Sequence, residues 1–212
     1  MVIELYFSQH FGVPPTVLED YGAFDISLAS DLPLFIDPFL LFNSQKPEYR
    51  DLHEGMIRYL VFLRDRATPD LDPGLIKAWY MFQEVKQNWL GFTVLGNSGS
   101  GLGKDFARAL HNSLGSILKG FGSESITKSA HLEKLALIKE GVGRDNISDF
   151  TTNLIKGYLL EYTQAFAQAH LSPDQRGTFS IARAVFNYET ETWESRQYDL
   201  PALRGDGEPV CR

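Results

Sequence analysis

The chain has a single cysteine, Cys211, and no excess of basic residues. One thiol cannot close an internal disulfide, so stability must come from a packed core, and a reducing compartment is the natural setting. Lys and Arg number 20 against 27 Asp and Glu, a formal net charge of −7 with an isoelectric point near 5.2. Proteins that coat nucleic acid or anionic membranes draw affinity from cationic side chains, so that class is disfavoured. An enzyme acting on nucleic acid stays open, because only its site needs to be positive. Long hydrophobic runs are also missing. The most apolar stretch, Leu32 to Phe42, is broken by Pro33, Asp37 and Pro38 and is too short to cross a bilayer. The opening MVIELYFSQHFGVPP has neither the basic start nor the apolar centre of a secretory signal. Together these absences predict a cytoplasmic protein with no membrane partner.

Catalytic and metal-binding patterns are sparse too. His10, His53, His111, His131 and His170 show no ligand spacing, and His53-Glu54 lacks the second histidine of a zincin helix. There is no Gly-x-Ser-x-Gly elbow, and Cys211 lies in a stretch that reads as coil, so a serine or cysteine nucleophile has no support.

What is present is ample for a core: 212 residues, 43% hydrophobic and 13% aromatic. Residues 1–45 are rich in Phe, Leu, Pro and Asp without a helical period, which predicts short strands and turns packed on the rest. Pro47 opens a helix with Leu52, Met56, Tyr59, Leu60 and Leu63 on one face. After the turn TPDLDPG, Pro73 starts a second helix whose apolar face is Leu75, Trp79, Phe82, Val85 and Trp89. A glycine-rich loop spans 91–104, and a third helix follows with Phe106, Leu110, Leu114, Ile117 and Leu118 inward. Leu132, Leu135 and Ile138 mark a shorter fourth helix. The fifth carries Ile147, Phe150, Leu154, Tyr158, Tyr162 and Phe166 and ends before SPDQRG, with Asp145 or Ser148 expected as its cap. The strand FSIARAVFNYE and a second near TWESRQYDL close the chain. The fold expected is an α-rich α+β domain of about five helices. It divides into an irregular segment 1–45, a helical core 46–172, and strands with a tail at 173–212, all one globular domain.

Three groups of residues could carry chemistry. Asp70 followed by Glu84-Val85-Lys86 has the outline of the PD-(D/E)XK nucleases, in which two carboxylates hold Mg or Mn beside a phosphate and the lysine orients water. That chemistry needs Glu and Lys on one side of a strand. The surrounding period is helical, which turns Glu84 and Lys86 ~200° apart. In GFTVLGNSGSGLGK, Gly99, Gly101, Gly103 and Lys104 resemble a phosphate cradle at a helix start. Against the Walker pattern, Ser98 stands where glycine is needed and Asp105 where Ser or Thr is needed. Asp145, Asp149 and Asn153, spaced by four, predict a polar stripe opposite the apolar face of the fifth helix. Such a stripe suits a metal or a basic partner, though acidic residues near a helix N-terminus need no ligand to be favourable.

The segments WLGFTVLGNSGSGLGK and GVGRDNISDFTTNLIKGYLLEYTQ, with FNYETETW and a following DLP, resemble uncharacterised bacterial proteins associated with genome-defence neighbourhoods. The likeness covers about residues 80–200. It implies an intracellular bacterial protein that acts with a partner in responding to foreign nucleic acid, and it transfers no catalytic residue; such proteins are expected to continue beyond DLP. The reading that results is a non-catalytic interaction or regulatory subunit with a protein partner. The alternatives are a metal-dependent nuclease acting through Asp70, Glu84, Lys86, Asp145 and Asp149, and a nucleotide binder built on the glycine loop.

Overall fold

The computed structural model describes residues 5–29, 34–82, 85, 102–117 and 144–203. Its elements are α1 (Phe7–Phe11), α2 (Pro15–Tyr21), α3 (Pro38–Phe42), α4 (Pro47–Arg66), α5 (Pro73–Tyr80), α6 (Lys104–Ile117), α7 (Arg144–His170), a short 3-10 turn (Pro173–Gln175), β1 (Arg176–Asn187) and β2 (Thr192–Pro201). This is the α-rich α+β fold expected from the periodicities. No helix among the described residues is long and apolar enough to cross a membrane. The described chain forms two compact units, one of residues 5–34, 85 and 156–203, the other of 35–82, 102–117 and 144–155.

In the first unit, the N-terminal segment corrects the sequence expectation. Among its described residues it holds short helices rather than strands, apart from one bridge between Tyr6 and Ser27. Pro15 and Pro38 stand at the first helical positions, where a missing N–H costs nothing; as isolated prolines they read as strand breakers. Gly12 and Gly22 end α1 and α2 in left-handed conformations. The Asp25 carboxylate accepts from the Ser8 backbone N–H (2.9 Å) and the Ser8 hydroxyl (2.6 Å), supplying α1 with the acceptor its start lacks. Phe7, Phe11, Val13, Leu18, Ile26 and Leu28 then pack on Phe166, Ala167 and Leu171 of the α7 end. Tyr21 and Tyr162 clasp each other, each hydroxyl donating to the other's backbone carbonyl (2.9 and 2.7 Å).

The hairpin pairs β1 and β2 antiparallel, Arg176 opposite Pro201 through to Asn187 opposite Thr192. Ile181, Ala184, Tyr198 and Leu200 form a cluster with Leu160 of α7. The register shifts between Ile181 and Val185, where Arg183 takes a left-handed φ of 53°. Lys156, buried, donates to the Ala182 carbonyl at this bulge (3.0 Å). A Cβ on the neighbouring Gly157 would stand 3.1 Å from Ala184 O and Val185 Cγ2, so glycine sets how closely helix and bulge approach. Arg176 pairs with Asp199 along the hairpin.

In the second unit, α4 buries Met56, Tyr59, Leu60 and Leu63, the face the spacing foretold. Tyr59 donates to the Trp79 carbonyl (2.7 Å) and Tyr80 to the Leu63 carbonyl (2.6 Å), tying α4 to α5 from both sides. Burial pushes the Tyr80 phenol well above the usual tyrosine range, so it stays a neutral donor. The expected run of the second helix to Trp89 is not what forms. The helix α5 stops at Tyr80, Met81 is extended, and Phe82 bridges Leu102 through paired backbone hydrogen bonds of 2.8 and 3.4 Å. Leu75, assigned inward, is exposed. Phe82 instead meets Phe150 of α7 edge-on, ring centroids 4.7 Å apart. On α6, Phe106, Ala107, Leu110 and Leu114 are buried as the spacing required. The fourth expected helix lies outside the described residues.

Candidate functional site

Helix α7 begins at Arg144, so the two residues expected as its cap lie inside it, Asp145 as its second residue and Ser148 one turn in. The Ser148 hydroxyl oxygen accepts from the Ile36 backbone N–H (2.9 Å). Of the expected stripe Asp145, Asp149 and Asn153, Asn153 is buried and Asp149 half-buried, and the neighbouring Ser148, Thr151 and Thr152 are buried as well. Three of the buried side chains return a donor to the helix itself, Thr151 Oγ1 to Ile147 O (2.7 Å), Thr152 Oγ1 to Ser148 O (2.8 Å) and Asn153 Nδ2 to Asp149 O (2.9 Å). Small polar side chains satisfied in this way can be buried at little cost. Ser148, Thr151, Thr152 and Asn153 thus serve packing in this part of α7.

The Ile36–Ser148 hydrogen bond fixes one end of the segment that leads into α3. Asp37 then caps α3 by accepting from the Phe39 N–H (2.9 Å), and Pro38 is buried at its first position. At the far end Phe42 packs edge-on against the buried His53 of α4, centroids 5.1 Å apart, while Asn43 Nδ2 donates to Phe39 O (3.0 Å). Anchored at both ends, the segment holds Phe35, Phe39 and Leu40 in solvent, 48%, 41% and 67% exposed. Three large apolar side chains so close in sequence are a costly display unless something covers them. Sequence reading missed this feature because PLFIDPFLLF suggests a buried strand; its signal was the Asp-Pro start of a helix too short to bury both sides.

Of the chemical candidates, Asp70, Asp149, Gly103 and Lys104 are fully described. Asp70 sits exposed in the turn before α5, and Asp149 is half-buried in α7. Asp145 is the second residue of α7, and its side chain lies outside the described residues, as do Glu84 and Lys86. Helix α5, whose period was expected to continue through Glu84 and Lys86, ends at Tyr80. Among the described residues, no group of three or more His, Cys, Asp or Glu is placed to hold a metal. Of the glycine loop, Gly99 and Gly101 lie outside the described residues. Gly103 is exposed and its carbonyl accepts from Ala107 N (3.1 Å), closing the first turn of α6 where Lys104 stands exposed. The preceding Leu102 is buried in its bridge to Phe82, so the loop's end is a fixed piece of backbone pairing.

No curated protein and no solved structure matches the chain. A family model does match, over residues 12–211, taking in both units, the hairpin and the α3 segment. The chain therefore belongs to the DUF8370 family, a domain of unknown function.

Proposed function

We propose that this protein is a non-catalytic interaction subunit of a bacterial intracellular system, of the genome-defence kind that the sequence resemblance implies, and that it docks a protein partner through Phe35, Phe39 and Leu40. The observation that carries the reading is the exposure of these three side chains on a segment fastened at Ser148 and His53. A rigid apolar display loses little conformational freedom on docking, which is how a small surface gains affinity. The formal net charge of −7 favours a partner whose contact rim is basic.

Coexpression with the genes that flank it, followed by affinity capture, tests the reading. The wild-type chain is expected to bring down one stoichiometric partner, and Leu40→Asp combined with Phe35→Ser to lose it with the melting temperature little changed. A partner retained by that variant would remove the surface from consideration. A parallel panel offers plasmid, single-stranded DNA and RNA with magnesium, manganese or EDTA to the wild type, Glu84→Ala and Asp149→Asn. EDTA-sensitive cleavage lost in either variant would replace the interaction reading with a nuclease. A nucleotide that raises the melting temperature of the wild type, and not of Lys104→Ala, would instead favour the glycine loop.

A further inference from the structure

We infer that the outer edge of β2 is a pairing surface for a second copy of this chain. The hairpin is a two-stranded sheet among the described residues, so β2 has β1 on one side only. Which of its backbone groups face outward follows from two observations. The Asp199 N–H donates to the Gln164 side chain of α7 (2.7 Å), and Ala202 N–H donates to Gln175 O on the β1 side (2.9 Å). Antiparallel ladders alternate with period two, so Ser195 and Gln197 share the outward parity of Asp199, as does Trp193. Pro201 falls at the same parity, where the lack of an N–H breaks no bond to β1. Near Asp199 the edge is covered by Gln164. At Ser195, Arg196 and Gln197 it is exposed.

The charges on this open stretch are complementary to themselves. Charged side chains discourage pairing at an edge strand, most where like charges would stand opposite each other in the new ladder. Here Glu194 and Arg196 lie on one face with opposite signs, 40% and 49% exposed at the side chain and 3.8 Å apart within the strand. An antiparallel pair centred on Ser195 sets Ser195 against Ser195 of the second copy and Trp193 against Gln197. The same register sets Glu194 against Arg196, and Arg196 against Glu194. All backbone groups used belong to the outward parity, and both cross-strand charge pairs are attractive. The other Glu194 oxygen accepts from Asn187 Nδ2 of β1 (2.6 Å), which limits the freedom of the carboxylate. This surface is separate from the α3 segment, so its failure leaves the partner reading untouched.

Sedimentation of the full chain over a concentration series reads the association directly. The wild type is expected to dimerise, and Arg196→Glu, which sets like charges opposite each other twice, to weaken the dimer roughly tenfold. The double reversal Glu194→Arg with Arg196→Glu restores attraction in the same register and should recover wild-type affinity. Ser195→Pro removes an N–H that β1 does not use, so it should abolish the dimer while leaving the melting temperature close to wild type. A chain that stays monomeric up to roughly 100 µM overturns the proposal, as does a dimer indifferent to Arg196→Glu or to Ser195→Pro.

Discussion

In α7 the side chains buried before Lys156 are Ser148, Phe150, Thr151, Thr152, Asn153 and Ile155, whereas beyond it they are Leu160, Thr163, Phe166 and Ala167. The first set is mostly polar and belongs to the unit that contains α4 to α6; the second is mostly apolar and belongs to the unit that contains the hairpin. Both are equally inaccessible to water. The difference shows that burial in this helix is decided by whether a donor can be answered locally, and residue polarity is a poor guide to it. Thr163, in the apolar half, uses the same device, its hydroxyl donating to Leu159 O (2.8 Å).

The largest effect is expected from removing the buried phenylalanine ring of each half. Phe150→Ala deletes the ring that meets Phe82, and Phe166→Ala the ring that meets Phe7 and Tyr21 (centroids 6.0 and 5.0 Å). Each should cost about 3–5 kcal/mol in denaturant unfolding. If the polar half were loosely packed, Phe150→Ala would cost far less than its counterpart.

Ser148→Ala comes next in size. It leaves the Ile36 N–H without its acceptor, and about 1–3 kcal/mol is the expected loss. Hydrogen exchange should rise at Ile36 and through α3 while Ile155 stays protected; uniform change across the second unit would show that Ser148 does no more than fill space. The smallest effect is expected from Thr152→Val and Thr163→Val. Each keeps the side chain's shape, and the carbonyl it releases is still bonded within the helix, so a loss under about 1 kcal/mol should appear in thermal melts. A larger loss at Thr152 alone would mean that the polar half depends on its hydroxyls.

The long elements were legible because each repeats its pattern often enough to be counted. Leu52 to Leu63 of α4, Phe106 to Leu114 of α6 and the alternation through β1 and β2 are all seen in place. The short ones were not. With five residues in α1 and in α3, no period can establish itself, and Pro38, a break in the apolar run of the sequence, is the beginning of a helix. The second helix overran because Phe82 continues its spacing, although the backbone has already turned extended at Met81 to reach Leu102. Of the stripe Asp145, Asp149 and Asn153, the last is buried and Asp149 half-buried, which spacing alone does not reveal because it identifies a shared face but not its exposure. Exposure of Leu40 could be learned only from its surroundings.

The reciprocal Tyr21–Tyr162 clasp also constrains how the molecule is made. Its two residues are separated by 141 positions, and the cluster around Phe7 and Leu18 is completed by Phe166, Ala167 and Leu171. During synthesis α1 and α2 are made well before α7, and among the described residues it is α7 that completes their cluster. At ~5–20 residues per second they wait on the order of 10 s with Phe7, Phe11 and Leu18 uncovered. In the meantime α4, α5 and α6 can assemble from neighbours closer in the chain. Helices α1 and α2 are thus made before α4 to α6 and secured after them, which leaves their apolar faces open to aggregation through that interval.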